Sequence, residues 1–282
     1  MSSNKSPGID GLPVEFYSKF FQVIGPDLLE VYNCIFSTGV LSESQRTGVV
    51  TLLPKPGDPL DPSNRRPISL LTVDYKIIAK VLQLRMSPVM KIIVNQFQTC
   101  SVPGRSIHNN LGIIRDIIDF SNSRDSLCAI ISIDQHKAFD KVNWHFMFRV
   151  LERMNFGNNF RKWVSILYNN IFSRLLINGS FTDKFDISRG VRQGCPLSPA
   201  LYVLFIEPLA RFISQSRDII GFPVPGGGGM AVKFLQYADD ATCVATSQRD
   251  ILFHFKTFEL FKRATGTSLN LTKTHGLRLG AL

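Results

Sequence analysis

Two adjacent acids, Asp239 and Asp240, are the residues whose type and spacing most directly suggest chemistry in this chain. They separate two short apolar runs, residues 231–236 and 241–245, whose β-branched and aromatic side chains predict a pair of strands. The acids are therefore expected at a tight hairpin turn. Taken alone, such a pair is commonly only a solvated turn, because Asp forms local hydrogen bonds there.

A third acid, Asp134, ends another apolar run at residues 128–133, which also predicts a strand. If that strand lies beside the hairpin, Asp134 lies beside Asp239 and Asp240. Carboxylates this close repel each other unless a cation neutralises them. Mg²⁺ prefers such hard oxygen ligands and keeps positions for substrate phosphates, so the three acids predict phosphoryl transfer.

The composition indicates a globular protein with a polyanionic partner. The chain has 282 residues, 44% of them hydrophobic, which is enough for one large domain or two. Its 32 Lys and Arg residues outnumber 22 Asp and Glu residues, giving a net charge of +10. This excess favours nucleic acid as a partner, although a basic surface with no specific partner would have the same net charge. It is concentrated at residues 55–91, which contain seven cations and three acids.

The cysteines and the hydropathy indicate a soluble, intracellular protein. The five cysteines have no C-x-x-C spacing and are expected to be reduced and mostly buried. No apolar stretch approaches the roughly 18 to 20 residues that a membrane span requires, and the polar N-terminus lacks a signal-peptide core. We expect no membrane partner and a location in the nucleus, the cytoplasm or both.

The order of predicted elements indicates an α+β fold. An amphipathic helix ends at Gly39, and a strand then leads into the Pro- and Gly-rich loop 54–59. Asn178-Gly179 predicts a second hairpin, and a last helix ends at Gly266. This order predicts an antiparallel sheet with helices packed on one face, beside which the N-terminal third packs.

Three motifs in this order resemble the reverse transcriptases of non-LTR (LINE-type) retrotransposons. They are Asp134-Gln135-His136-Lys137-Ala138-Phe139-Asp140, Arg192-Gln193-Gly194-Cys195-Pro196-Leu197-Ser198-Pro199 and Tyr237-Ala238-Asp239-Asp240. The resemblance extends over essentially the whole chain through residues 5–11, 66–71 and 269–274. The segments most similar to the L1 and Tx1 branch of that family are residues 74–80 and 100–105.

The resemblance implies an RNA-directed DNA polymerase that adds deoxynucleotides to a primer 3′-hydroxyl with two Mg²⁺ ions, or with Mn²⁺. Its partners would be an RNA template, a DNA primer and deoxynucleoside triphosphates. The fold would be a polymerase palm at residues 126–282 with N-terminal fingers at residues 1–125. The thumb is expected to be absent or incomplete, as in a fingers-palm fragment of a longer element or a truncated copy.

The resemblance also implies roles for the acids and for one lysine. Asp134 and Asp239 would bridge the two metal ions, and Asp240 would play a lesser part. The backbone carbonyl of Gln135 would help to bind the nucleotide metal. Lys273 would protonate the leaving pyrophosphate, although a lysine near the end of a chain is commonly a surface residue.

Four residues are expected to contact the incoming nucleotide by the same resemblance. Phe139 would be a steric gate, because a ring beneath the ribose collides with a 2′-hydroxyl; alone it could equally be a core aromatic. Gln193, Gly194 and Ala238 would line the nucleotide site, where glycine allows the backbone to approach closely.

Basic residues of the 55–91 segment are expected to bind phosphates. Lys55 and Arg66 resemble the fingers residues that grip the triphosphate, where cations offset the charge that gathers in the transition state. Arg65 and Lys80 are expected to contact the nucleic acid. Seen singly, each of these side chains would more often be a solvated surface charge.

Two other functions compete with this interpretation. A truncated retrotransposon remnant would bind nucleic acid through its basic residues without processive catalysis, although its catalytic acids would then have no reason to be intact. An RNA-dependent RNA polymerase shares the acidic cluster, but Phe139 opposes it because such an enzyme must accept the 2′-hydroxyl. The pair Gln135-His136 departs from the family's commoner small residue followed by Glu, which concerns packing rather than metal binding.

Overall fold

The computed structural model describes residues 1, 3–58, 60–225 and 228–280. Two sequence predictions extend outside these ranges. Residue 59 belongs to the loop predicted at 54–59. Residues 226 and 227 belong to the glycine run 226–229, which the sequence predicts to be a flexible connection.

Helices form much of the described chain. They are α1 (Val14–Thr38), α2 (Glu43–Arg46), α3 (Val73–Ile93), α4 (Ile107–Arg124), α5 (Trp144–Arg153), α6 (Asn158–Tyr168), α7 (Ser198–Gln215) and α8 (Gln248–Thr265). Short 3₁₀ turns occur at Pro62–Asn64 and Ala138–Lys141.

The strands are short apart from the last. They are β1 (Thr47–Pro54), β2 (Arg65–Leu70), β3 (Cys128–Gln135), β4 (Phe172–Ile177), β5 (Ser180–Phe181), β6 (Phe185–Asp186), β7 (Phe222–Pro223), β8 (Ala231–Val232), β9 (Phe234–Tyr237), β10 (Asp240–Ala245) and β11 (Leu269–Leu279).

The chain forms two compact units, each built from two segments. Unit 1 contains Met1–Arg85 and Leu151–Ser198, and unit 2 contains Met86–Val150 and Pro199–Leu282. The division into fingers at 1–125 and palm at 126–282 stays a prediction.

Unit 1 is built around β1. This strand pairs antiparallel with β2 and parallel with β4, and β4 also pairs with β5 and β6. The helices pack through aromatic rings, with Phe36 of α1 lying 5.4 Å from Trp163 of α6 between ring centroids. The predicted Asn178-Gly179 turn is confirmed: Ile177 pairs with Ser180, and both turn residues have positive φ.

Unit 2 contains an antiparallel four-stranded sheet in the order β11-β3-β10-β9. Leu235 of β9 packs in a buried apolar cluster with Ile117 of α4, whereas its neighbour Phe234 packs against Phe258 of α8. Neighbouring strand residues point to opposite faces. The predicted α+β class and antiparallel sheet are thus confirmed, with helices on both faces where the sequence predicted one.

Some boundaries differ from the sequence prediction. The run 231–236 forms two strands, β8 and β9, with Lys233 between them. The strand β11 follows Gly266 and was not anticipated, because its mixed polar sequence lacks a clear period of two. The predicted helix ends at Gly39 and Gly266 are confirmed, since both glycines are left-handed C-caps.

All five cysteines are free. Cys128, Cys195 and Cys243 are buried and Cys100 is partly buried, as expected, but Cys34 is exposed on α1. None of the helices in the described ranges is both long and apolar enough to span a membrane.

A buried histidine supports the sheet of unit 2. His254 of α8 is fully buried, and its Nε2 lies 3.3 Å from the backbone oxygen of Val244 in β10. Burial lowers the pKa of His254 to about 4 from its ordinary value of 6.5. The folded chain therefore holds this imidazole in its neutral form.

We predict that His254 makes the chain sensitive to acid. Because the unfolded chain gains this proton near pH 6.5 and the folded chain only near pH 4, stability is lost as pH falls between these values. The expected loss is about 1.4 kcal/mol per pH unit. His254→Gln keeps a nitrogen donor but does not titrate. The free energy of unfolding of this variant, measured with denaturant, should therefore fall less steeply as the pH is lowered. An unchanged slope would contradict the prediction, and exposed His108→Gln is the control.

Candidate active site

Backbone pairing brings the three predicted acids together in unit 2. In the antiparallel pair of β3 and β10, Ala241 lies opposite Ile133. The preceding residue, Asp240, is therefore beside Asp134, and Asp239 follows in the turn. Asp134 and Asp239 are half-buried, and Asp240 is exposed. The predicted juxtaposition of β3 with the acidic hairpin is confirmed.

The acids interact electrostatically. Burial raises the pKa of Asp239, and the carboxylates of Asp240 and Asp134 raise it further. Burial also raises the pKa of Asp240, with Asp134 as a second cause. A bound divalent cation would offset this mutual repulsion.

The acids fit a magnesium site that is completed by its substrate. Within the described ranges, no three His, Cys, Asp or Glu side chains are grouped closely enough to hold a metal alone. Mg²⁺, however, is usually bound by one or two carboxylates together with water and substrate phosphates. The all-carboxylate set suits Mg²⁺ or Mn²⁺ rather than a softer ion.

The acidic turn has an unusual backbone. Tyr237 pairs with Asp240, so Ala238 and Asp239 are its two central residues and Asp240 already begins β10. Ala238 has φ of +54°, a conformation that non-glycine residues seldom adopt. Its N–H donates a 3.1 Å hydrogen bond to Oε1 of Gln98.

The strand before this turn is held by the segment that contains Gln98. The N–H of Thr99 and the side-chain amide of Asn110 both donate to the backbone oxygen of Gln236, at 3.0 and 2.8 Å. The N–H of Gln236 donates to the oxygen of Phe97 at 3.0 Å. These bonds restrict where Asp239 and Asp240 can lie.

Phe139 packs on a core aromatic and stays half-exposed. Its ring stacks on Tyr202 of α7 with 4.5 Å between centroids and 25° between planes. Tyr202 is fully buried, and burial together with the nearby Asp239 and Asp240 raises its pKa. The gate and the core-aromatic interpretations of Phe139 are therefore compatible.

Gln135 and Lys273 belong to the paired strands β3 and β11. Gln135 is buried at the end of β3, opposite Leu269 of β11. Lys273 is exposed, in a part of β11 where the register with β3 shifts between Asn270 and His275.

Unit 1 holds the predicted phosphate-binding cations. Arg65 and Arg66 lie on β2 opposite Pro54 and Leu53, and Lys55 directly follows β1. Lys55 and Arg66 are exposed. Lys80, the fourth cation predicted to bind phosphate, lies on α3, where its ammonium donates to Oε1 of Gln83 at 2.8 Å.

The turn at Gln193-Gly194 belongs to unit 1 and approaches β2. Gly194 has φ of +96°, and a Cβ atom there would lie 2.6 Å from the backbone oxygen of Ser69. Arg192, just before the turn, is buried; it donates to the backbone oxygens of Gln45 and Arg46 at 3.1 and 2.7 Å. The turn is thus anchored on one side and closely packed on the other.

Comparison with known proteins agrees with this geometry. Residues 53–279 match the family model described as reverse transcriptase (RNA-dependent DNA polymerase). The chain belongs to the reverse transcriptase family. The three motif segments all lie within the matched region.

Relatives place the chain with non-LTR retrotransposons. It is 38% identical over its full length to the transposon TX1 uncharacterized 149 kDa protein of Xenopus laevis, covering 21% of that protein. It is 27% identical, over 82% of its length, to a Pol polyprotein from retrotransposable element R2 of Popillia japonica, covering 32% of it. These matches confirm the resemblance to the Tx1 branch, and the chain spans a fifth to a third of these curated relatives.

Solved structures confirm the fold. Apo telomerase from Candida tropicalis, truncated from its C-terminal domain, superposes with a TM-score of 0.57 at 13% identity over 89% of this chain and 54% of that one. Candida albicans telomerase in complex with a telomeric RNA fragment gives 0.57 at 13% identity, over 94% of this chain and 46% of that one.

Sequence reasoning assigned no role to several residues that hold the candidate residues in place within their own unit. They are Gln98, Arg192, Tyr202 and Asn270. Arg192 and Asn270 lie inside quoted motifs, so their position was a usable signal. Gln98 contacts Ala238, and Tyr202 contacts Phe139; both contacts join segments that are distant in the chain. No local sequence pattern predicts them.

We predict that Gly194→Ala destabilises unit 1. The added Cβ atom would clash with the backbone oxygen of Ser69, and alanine would have to adopt the positive φ of this position. Together these cost at least about 1–2 kcal/mol. Gly112→Ala in α4 is the control, because nothing lies within 4 Å of its added Cβ and alanine should stabilise the helix by up to about 1 kcal/mol. Urea denaturation measures both. Equal stability of Gly194→Ala and the parent would show that the turn adapts.

Proposed function

We propose that the chain is an RNA-directed DNA polymerase domain, which adds deoxynucleotides to a primer 3′-hydroxyl on an RNA template. The observation that carries this proposal is the β3–β10 register, which brings Asp134 beside the Asp239-Asp240 turn. Membership of the reverse transcriptase family supports the same reaction.

The acids would bind two divalent cations, with Asp134 and Asp239 as shared ligands, the carbonyl of Gln135 as a further ligand and Asp240 in a lesser role. Such ions activate the primer hydroxyl and neutralise charge on the triphosphate. The protein's own contribution is to hold the carboxylates close together in a partly buried place, where a bound cation would relieve the repulsion that otherwise raises the pKa of Asp239 and Asp240. Lys273 would supply the proton to pyrophosphate.

Selection of the sugar would depend on Phe139. The stack on Tyr202 limits the movement of the ring, so it can exclude a 2′-hydroxyl by contact. This favours a DNA polymerase over an RNA polymerase. Ala238, Gln193 and Gly194 would line the nucleotide as their resemblance implies.

The cations of unit 1 would bind phosphate groups. Lys55 and Arg66 are exposed, as phosphate ligands must be, and would contact the triphosphate. Arg65 and Lys80 would contact template or primer. With a net charge of +10, binding of nucleic acid should weaken with salt, because each neutralised phosphate releases counterions.

A remnant that binds nucleic acid without processive synthesis is the second candidate, favoured by the same charge. Primer extension separates the two, since a remnant would bind primer-template without extending the primer processively. Under either function, we propose a location in the nucleus or cytoplasm, where nucleic acid is available.

We predict that Asp239→Asn lowers the rate of primer extension roughly 100-fold while sparing the fold. The change removes one charge at nearly constant volume, and loss of about 3 kcal/mol of transition-state stabilisation lowers the rate roughly 100-fold. The measurement is extension of a DNA primer on RNA with Mg²⁺, beside thermal unfolding. Asp119→Asn on the exposed face of α4 is the control. Full activity of Asp239→Asn would refute the assignment of the acids.

We predict that Phe139→Val admits ribonucleotides. Removing the ring removes the collision with the 2′-hydroxyl, so the ratio of kcat/KM for deoxy- over ribonucleotides should fall by about 10- to 100-fold. Phe139→Tyr keeps a ring stacked on Tyr202 and should keep the ratio. If Phe139→Val discriminates as the parent does, the gate lies elsewhere.

A further inference from the structure

Asn270 makes hydrogen bonds in two directions. Its Nδ2 donates to Oδ2 of Asp134 at 3.0 Å, and its Oδ1 accepts from the hydroxyl of Thr272 at 2.7 Å. Its backbone oxygen accepts from the hydroxyl of Thr274 at 3.0 Å. One partly buried amide thus contacts both a predicted metal ligand and the segment around Lys273.

That segment is a large bulge in β11. Asn270 pairs with Asp134, but the next pair along the strands joins His275 to Ser132. Four residues, 271–274, therefore lie opposite the single residue Ile133. Bulges next to active sites redirect a side chain and are held by local bonds. Here Thr272 and Thr274 flank Lys273, and both bond to Asn270.

We propose that Asn270 is a positioning residue that couples the metal-binding carboxylate of Asp134 to the bulge that carries Lys273. The amide orients Asp134 for a divalent cation, and through Thr272 and Thr274 it sets the conformation of the bulge. This inference rests on the proposed function and names an additional residue of that site.

The chemistry of the side chain suits this role. An amide donor restrains a carboxylate without adding a fourth negative charge to three acids that already repel one another. Donors to metal-ligating groups typically change metal affinity or activity by about 10- to 100-fold when removed. Asn also has an acceptor oxygen, which lets the same group hold Thr272.

Two variants separate the two bonds. Asn270→Leu has a similar volume and removes both side-chain bonds, whereas Thr272→Val removes only the bond to the bulge. His275→Ala, exposed beyond the bulge, is the control. Asn270→Ser, too short to reach Asp134, replaces Asn270→Leu if the latter does not fold by circular dichroism.

The first readout is Mn²⁺ affinity without substrate, measured by electron paramagnetic resonance. Asn270→Leu should weaken it about 10- to 100-fold, and Thr272→Val should leave it within about twofold. The second is primer extension at saturating Mg²⁺. There, both variants should lose kcat by a similar factor with little change in nucleotide KM, and the double variant should be no worse than Asn270→Leu.

The outcomes distinguish this inference from its premise. If the parent chain binds Mn²⁺ but extends no primer, the proposed function fails, and the Mn²⁺ comparison still decides the role of Asn270. A parent chain that binds no Mn²⁺ would overturn both proposals. Unchanged Mn²⁺ affinity in a folded Asn270→Leu or Asn270→Ser would overturn the proposal. Equal loss of Mn²⁺ affinity in Thr272→Val would also overturn it, because it would show a general loosening of β11.

Discussion

The antiparallel pairing of β3 with β10 is the constraint on which the rest of the site depends. It places Asp134 beside Asp239 and Asp240, although like charges favour separation. Strand pairing on both sides of β3 and apolar packing on both faces of the sheet supply the opposing stability. The acids can therefore stay close without a cation, and a bound cation would relieve their repulsion.

Around these acids, uncharged polar groups restrain the geometry. Gln98 holds the N–H of Ala238 in a strained turn, and Asn270 holds the carboxylate of Asp134. Neither residue adds charge to an already acidic site. The side-chain oxygen of Gln98 accepts from the N–H groups of both Ala238 and Cys100, and the amide of Asn270 donates to Asp134 while it accepts from Thr272.

Aromatic packing supports the side chain of Phe139. Phe139 stacks on Tyr202, and α7 continues into the ring contacts of Phe205 with Phe146 and Phe261. The half-exposed ring of Phe139 is thus the outer end of a buried aromatic group. A side chain supported in this way can select by shape, since moving it would disturb close packing in the core.

The juxtaposition of the three acids depended on the pairing of two strands that are distant in the chain, and the structure supplied that pairing. The sequence by itself determined the chemical class of this protein through its motifs, together with the hairpin turn at Asn178-Gly179 and the helix ends at Gly39 and Gly266. These depend on local patterns of turn residues and apolar period. The tertiary structure alone decided the bulge in β11, the helices on both faces of the sheet and the contacts of Gln98, Tyr202 and Asn270. They join residues up to 140 positions apart, as between Gln98 and Ala238, and such distances leave no trace in local spacing.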